Sequence, residues 1–565
     1  MDMIQYLNTQ KTMKKIKKYT FIIGLSLVSI LSLGFVDNFF EISKNLDIFS
    51  SLYKELNIYY VDETDAGELM KTGIDAMLES LDPYTNYIPE SEKEDFEFMT
   101  TGQYGGIGAV ITKNGDWVYV SEPYEGFPAD KAGLIAGDKF IEISGESAKS
   151  KSTADVSKVL KGEPNTAVKV LIEREGIPKP FEVEIIREEI KLNSVPYYGL
   201  ISDSIGYIKT RSFTRNISKE VIDAYRDMNA KNDLKGLVLD LRGNPGGLLN
   251  EAISMANIFI DRGKEIVFTK GKIKDWDKSY KARNDAIDTE IPLVVLINRS
   301  SASASEIVSG AVQDFDRGVV IGQRSFGKGL VQQTRKLSYN AQLKLTTAKY
   351  YIPSGRCIQA LDYSNRDEDG SVGKVPDSLR TEFKTLVNER SVFDGGGITP
   401  DITIEPEKFS NILRSLVSKR HIFNFANQYR RNNKSIEDAK SFVISDDIYS
   451  QFKQYLNDKE YEYETKTEKA IKKLEKDAEG EKYLSELQDQ LELLSSKIKE
   501  SKNNDIERFK FEISELLEME IVTRYFYQKG KIETTIKHDE EIAKAIDVLD
   551  NMELYDAILR GDSIQ

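Results

Sequence analysis

The segment that most constrains this chain runs from residue 292 to 312. Pro292-Leu293-Val294-Val295-Leu296-Ile297 is apolar throughout and reads as a buried strand. It breaks off into Asn298-Arg299-Ser300-Ser301-Ala302-Ser303-Ala304-Ser305-Glu306, after which Ile307-Val308-Ser309-Gly310-Ala311-Val312 reads as a buried helix. A strand that turns sharply into a helix through small hydroxyl residues can hold a side-chain oxygen beside the unpaired N–H groups of the helix start. That geometry suits a nucleophile next to an oxyanion hole. The plainer alternative is an ordinary helix cap, for which serine is a favoured residue.

The same strand–turn–helix rhythm recurs on either side. Ile205-Gly206-Tyr207-Ile208 reads as a strand and 216–230 as a helix. Gly236-Leu237-Val238-Leu239-Asp240-Leu241-Arg242 is a further buried strand, ending in Gly243-Asn244-Pro245-Gly246-Gly247 before a helix over 248–259. Gly318-Val319-Val320-Ile321-Gly322 is another, followed by Ser325-Phe326-Gly327-Lys328-Gly329-Leu330-Val331-Gln332. Strands alternating with helices predict a layered α/β core, with ligands at the carboxyl ends of its strands. The Asn-Pro-Gly-Gly turn lies at such an end, where an outward N–H can serve as an oxyanion donor.

Lys328 stands between glycines with Phe326 and Leu330 nearby. A lysine in that setting is usually a solvated charge, and as a base it must be neutral. At its reference pKa only about one molecule in a few thousand is neutral at pH 7. Lowering that pKa by about three units costs roughly 4 kcal/mol, so apolar flanks are a requirement. The chain has only two histidines, His421 and His538, both outside this core. This argues against a Ser–His–Asp triad, and no His–Glu spacing of a metalloprotease helix is present. No metal and no cofactor is expected.

At 565 residues the chain has room for several domains. Its net charge of −14 argues against general nucleic-acid binding, which needs basic surface to displace counterions. Near the N-terminus, Lys11, Lys14, Lys15, Lys17 and Lys18 precede an uncharged run of eighteen residues from Tyr19 to Val36. We expect this run to be an anchor or a signal segment, with the remainder exported to the periplasmic side of the inner membrane in the cell envelope. Residues 41–97 carry helical periodicity, with Leu46, Phe49, Leu52, Tyr53 and Leu56 on one face.

From Gly102 the pattern changes to glycine punctuation and short β-rich runs. Gly105-Gly106-Ile107-Gly108-Ala109-Val110, then Pro128-Ala129-Asp130-Lys131-Ala132-Gly133-Leu134, then Gly137-Asp138-Lys139-Phe140-Ile141 together resemble a PDZ domain of the bacterial, circularly permuted kind. Phe127 departs from the small residue usual at its position, a difference expected to touch the groove rim and not the loop. Backbone N–H groups along Gly106, Ile107, Gly108 and Ala109 can cradle a carboxylate, and the adjoining strand edge can accept an extended peptide.

With this block, the turn Asn244–Gly247, the run Ser301-Ala302-Ser303-Ala304-Ser305-Glu306, the Phe326-Gly327-Lys328-Gly329 loop with Gln332, and Gly397-Ile398-Thr399-Pro400-Asp401-Ile402, the chain resembles the C-terminal processing peptidases, or tail-specific proteases, over roughly residues 45–405. The resemblance implies a serine endopeptidase acting on proteins and peptides with free C-termini. It makes Ser303 the nucleophile, Lys328 the general base and Gln332 the residue that orients the lysine amine. Ala304, with Gly246 or Gly247, would supply the oxyanion hole. Ser301 and Ser305 remain as capping or turn-satisfying hydroxyls.

The expected architecture is multidomain α+β: a mixed α/β peptidase core with an inserted β-rich PDZ domain and helical N- and C-terminal regions. The expected divisions are a basic flank and apolar segment at 1–40, a helical region at 41–97, the PDZ domain at 98–190, the Ser–Lys core at 191–405 and a helical extension at 406–565. That extension has no proline beyond Glu407. Leu484, Leu487, Leu491, Leu494 and Ile498 follow heptad spacing, as do Ile506, Phe509, Ile513 and Leu516. Two short runs favour a packed helical hairpin. The extension suits self-association, regulator binding or bracing of the core, and its sequence does not choose. A peptide-binding scaffold without activity would not require the serine, lysine and glutamine together, and a crotonase-like acyl-transfer enzyme would share only the strand–helix turns.

Overall fold

The computed structural model describes residues 39–366 and 372–562. These fall into two compact units, one ending at Tyr87 and one beginning at Ile88. The first is helical: one helix covers 39–59 and another Ala66–Glu79, where the Asp65 side chain accepts the Glu68 N–H. The predicted apolar face of the first helix is not buried, for Leu46, Phe49 and Leu52 are each more than 40% exposed.

The run from Tyr19 to Val36 lies outside the described residues, and among those described no helix is long and apolar enough to cross a membrane. The anchored, exported placement expected from that run is therefore withdrawn.

In the second unit, residues 109–186 form the β-rich block. Its strands Ala109–Asn114, Trp117–Pro123, Lys139–Ile143, Ala167–Glu173 and Phe181–Ile186 pair in that order, leaving Ala109–Asn114 at the sheet edge. Helix Thr153–Leu160 packs beside that edge, its start fixed by a reciprocal capping box between Ser152 and Asp155. The entry and exit of the block are paired to each other, Gln103–Gly106 against Glu188–Lys191.

The α/β core is a six-stranded sheet in the order β1 (Tyr197–Leu200), β2 (Ile205–Lys209), β3 (Gly236–Asp240), β5 (Leu293–Ile297), β6 (Val319–Gly322) and β9 (Ile402–Thr403). Only β1 runs antiparallel to its neighbour; the rest are parallel. Every residue of β3, β5 and β6 is buried, as strands covered on both faces require. One face, with Leu237, Leu239, Val295 and Ile297, packs on helices α1 (Ile217–Asn232), α2 (Leu249–Ala256) and α3 (Ala304–Asp314). A second sheet of β7 (Leu330–Lys336), β8 (Gln342–Tyr351) and β4 (Glu265–Gly271) stands beside it.

The opposite face of the core sheet is covered by the C-terminal region. Val238, Val294, Leu296 and Ile321 pack there on Ile542, Ala545, Val548 and Leu549 of α6 (Glu540–Asp550) and on Tyr555 and Ile558 of α7 (Met552–Arg560). The extension thus braces the core. Several of its other helices share a separate apolar cluster in which α4 (His421–Asn432) meets α5 (Lys510–His538) through Phe425, Leu517 and Ile521. From α5, Tyr527 donates to Asp130 and Gln528 to Glu122, so the same region also grips the β-rich block. The hairpin is expected between the two heptad runs, but the helix of the first run, Leu484–Asn503, pairs instead with Lys466–Glu481, and of its heptad leucines only Leu491 is buried. The second run belongs to other helices, where Ile513 is fully buried.

A charged lock ties α6 to the core. Asp240, fully buried at the end of β3, accepts from Tyr207, Lys209 and Arg242, and Arg242 reaches on to Asp539 and Glu541 at 2.9 and 2.5 Å. Burial opposes the Asp240 charge, but Arg242 and Lys209 hold the carboxyl well below the usual carboxylate range. A carboxyl depressed in the folded state contributes stability above its unfolded pKa near 4 and loses it as pH falls below that. Replacing Asp240 with asparagine removes the buried countercharge of Lys209 and one of the three carboxylates of Arg242, and we expect a loss of about 3 kcal/mol at neutral pH, read by urea unfolding. The deficit relative to wild type should shrink toward pH 2; a constant difference would refute the assignment.

Candidate active site

Three turns meet because β3, β5 and β6 are adjacent and parallel, with Leu237 opposite Leu293 and Val295 opposite Val320. Gly243–Gly247 leaves β3, Asn298–Ser303 leaves β5, and the loop carrying Lys328 leaves β6, all at carboxyl ends. Buried Asn244 stitches the first two turns together. Its carbonyl accepts the Ala302 N–H at 3.1 Å and the Ser305 hydroxyl at 2.9 Å. Its side chain donates to Thr210 and accepts the Gly246 N–H at 2.9 Å.

The three serines separate cleanly. Ser301 is fully buried and donates to the Leu241 carbonyl at 2.8 Å; Ser305, also fully buried, is spent on Asn244. Ser303 is partly exposed and occupies the residue before α3. Its backbone has φ 55° and ψ −110°, a conformation that L-residues avoid and that costs of order 1–3 kcal/mol. Strain of this kind belongs to a strand-to-helix elbow at the start of a helix, where Ser303 and Glu306 form a capping box and the first helical N–H is that of Ala304.

Gly246 faces this elbow at very close range. It has φ +96°, and a Cβ there would lie 2.9 Å from the Ala304 nitrogen and 2.9 Å from Ser303 Cβ. With the Gly246 N–H given to Asn244 and its carbonyl accepting from the Phe213 N–H, the outward amide of this turn belongs to Gly247.

Lys328 sits in a loop fastened by Glu306. The Glu306 carboxylate is fully buried; Oε1 accepts the Ser325 hydroxyl at 2.5 Å and the Gly327 N–H at 2.7 Å. Oε2 accepts the Lys328 N–H at 2.9 Å and the Ser303 N–H at 2.7 Å. Burial pushes this carboxyl up to about 7, against the lowering effect of the four donors. Of the two apolar flanks expected for Lys328, Leu330 is buried, whereas Phe326 is 48% exposed. Gln332 lies on β7 and donates from Nε2 to Thr346 Oγ1 at 3.1 Å.

Ser303, Ala304, Gly246, Gly247, Lys328 and Gln332 all line one cleft of about 560 Å³. Phe96, Phe98, Leu192, Leu248 and Ile307 make much of its remaining wall apolar. Glu306 and Tyr350, both in contact with this site, were not singled out in the sequence. Glu306 is the third residue of a helix start, which reads as an ordinary capping acid, and Tyr350 is a strand aromatic 22 residues beyond Lys328.

In the β-rich block, Gly106 ends the short strand, buried Ile107 packs into the core, Gly108 has φ +70°, and Ala109 opens the edge strand. Val110 on that edge strand and Val159 on the Thr153–Leu160 helix are both about 40% exposed. Phe127 packs on Gly108, where a Cβ would lie 2.6 Å from Phe127 Cβ, so its departure reaches the loop itself.

Residues 204–364 match the model of peptidase family S41, residues 119–174 that of the PDZ domain, and residues 412–549 that described as "Probable PDZ-protease, C-terminal helical domain". The chain is 38% identical to the carboxy-terminal-processing protease of Bartonella bacilliformis over 321 residues, covering 56% of this chain and 73% of that one. It is 35% identical over 372 residues to a "Probable CtpA-like serine protease" of Staphylococcus aureus, covering 65% of this chain and 66% of that one. A solved structure titled photosystem II D1 C-terminal processing protease is 28% identical, covers 64% of this chain and 93% of that one, and superposes with a TM-score of 0.36.

Proposed function

This chain belongs to the C-terminal processing peptidase family and is a serine-type peptidase with a PDZ domain; from that premise we propose that it cleaves proteins through a Ser303–Lys328 dyad after its PDZ domain has engaged their C-terminal tails. The observation that carries the dyad is the strained, partly exposed Ser303 elbow lining the same cleft as Lys328, while both neighbouring serines are spent on backbone carbonyls.

The chemistry follows from these groups. Neutral Lys328 takes the proton of the Ser303 hydroxyl as its oxygen attacks the scissile carbonyl, and the resulting ammonium protonates the leaving amine. The N–H groups of Ala304 and Gly247 receive the oxyanion; Gly246 serves by its lack of a side chain, since its own amide is held by Asn244. Water then attacks the acyl-enzyme, with Lys328 again the base. Gln332, steadied by Thr346, orients the lysine amine. We place the functional divisions at 41–97 for the N-terminal helical region, 98–190 for the PDZ domain, 191–405 for the peptidase core and 406–565 for the brace.

For tail engagement, the carboxylate would sit on the backbone of Gly106–Ala109 and the tail would extend the Ala109–Asn114 edge. Amidating the C-terminus of a substrate removes the charge this loop would bind. We expect kcat/KM to fall by about 10-fold, the worth of one lost charge-assisted hydrogen bond. Equal rates for acid and amide forms in a steady-state assay would overturn tail recognition and leave the dyad untouched.

A further inference from the structure

We propose that Glu306 and Tyr350 form a clamp that sets the spacing of Ser303 and Lys328, making both of them positioning residues for the cleavage reaction. The inference rests on the dyad reading above and adds to it the means by which the two side chains are held in register.

The clamp has two jaws. One oxygen of Glu306, Oε2, takes the backbone N–H of Ser303 at 2.7 Å and of Lys328 at 2.9 Å. The Tyr350 hydroxyl lies at the carbonyls of the same two residues, 3.1 Å from that of Ser303 and in hydrogen-bond contact with that of Lys328. Amide and carbonyl of the nucleophile are thus tied to amide and carbonyl of the base, although the two lie on loops leaving different strands. The second oxygen of Glu306 seats the base loop through Ser325 and Gly327. Ser325 in turn accepts the Ile398 N–H at 2.6 Å, which fixes the loop from its far side.

The chemistry of the acid fits this role. Four donors converge on it, and a carboxylate can accept all four. A protonated carboxyl would still serve, because Ser325 is the one partner able to accept, so the two bonds on Oε2 survive either state. An amide would not: whichever way glutamine is turned, its NH2 meets a backbone N–H. Displacing either dyad member by a fraction of an ångström lengthens the proton transfer, and misplacement near 1 Å costs about 100-fold.

The test uses the full chain and a fluorogenic peptide with a free, apolar C-terminus. Glu306→Gln should lower kcat per folded molecule about 100-fold with KM within about twofold of wild type, and the buried clash of its NH2 with a backbone N–H should lower the melting temperature as well. Tyr350→Phe, which removes one jaw and keeps the ring, should lower kcat about fivefold, again without a change in KM. Loss of packing alone would instead lower the folded fraction, leaving kcat per folded molecule intact. The clamp is overturned if folded Glu306→Gln keeps kcat within about threefold of wild type, or if the loss falls on KM. Should the Glu306 variant not fold, Tyr350→Phe decides, and an unchanged kcat there refutes the paired jaws. Cleavage that survives in Ser303→Ala would overturn the dyad itself, an outcome separate from any result at Glu306.

Discussion

Ser303→Ala is expected to lower kcat about 10⁶-fold, to little more than the rate left by binding and an oxyanion hole alone. No neighbour can take over. The hydroxyls of Ser301 and Ser305 are fully buried and each donates to a backbone carbonyl, to Leu241 and Asn244 respectively. Lys328→Met should be nearly as severe, because a serine hydroxyl without its base is barely nucleophilic at neutral pH. The two losses should not add: residues that act as one unit fail together, so the double variant should match Ser303→Ala alone. Because the variants alter side chains at the cleft and not the packed sheet, their melting temperatures should match wild type. Steady-state cleavage by the purified full chain decides the matter. A Ser303→Ala enzyme within about tenfold of wild type would remove this serine from the mechanism.

The next largest effect is expected at a residue with no side chain. Gly246→Ala should cost about 1,000-fold in kcat, comparable to deleting an oxyanion donor outright. The new methyl group would lie 2.6 Å from the Ala302 carbonyl oxygen and 2.9 Å from both Ser303 Cβ and the Ala304 nitrogen. None of these is the free end of a flexible side chain, so the turn or the elbow must shift. The φ of +96° adds a backbone penalty of roughly 1–2 kcal/mol for any L-residue. Gly243→Ala is the control. It also has a positive φ, but nothing lies within 4 Å of its Cβ position, so it should lose stability and keep its turnover. If the two variants lose kcat equally, the close approach of Gly246 to the elbow is not what matters.

Much of the core was legible because its signals are local. Apolar runs such as Leu293–Ile297, bounded by glycine or serine turns, give the strand–turn–helix units directly, and the strand order places three turns at one edge. Ser303 is picked out from its two neighbours by the family resemblance, with which the shortage of histidine agrees. What sequence could not supply was long-range. Glu306 looks like any acid in a first helical turn; only the fold brings Ser325, Gly327 and Lys328 onto it. Arg242 meets Glu541 across 299 residues of chain, and no periodicity announces such a pair. The heptad leucines misled in part, since a regular stripe on helix 484–503 buries only Leu491. Of the apolar face predicted within 41–97, Leu46, Phe49 and Leu52 likewise proved exposed, because periodicity marks a face without saying what covers it.

The brace also has a bearing on when such an enzyme can begin to work. One face of the core sheet is covered by α6 and α7, and two of the partners of Arg242, next to the Gly243–Gly247 turn, are Asp539 and Glu541. During synthesis every strand of that sheet leaves the ribosome well before residues 540–560 do. Until then one face of the sheet has no packing and Arg242 lacks two of its carboxylates. Contacts of such sequence separation form late and slowly. A chain still being translated would therefore carry Ser303, Lys328 and both glycines and yet hold no finished site, so competence to cut arrives only with the last helices.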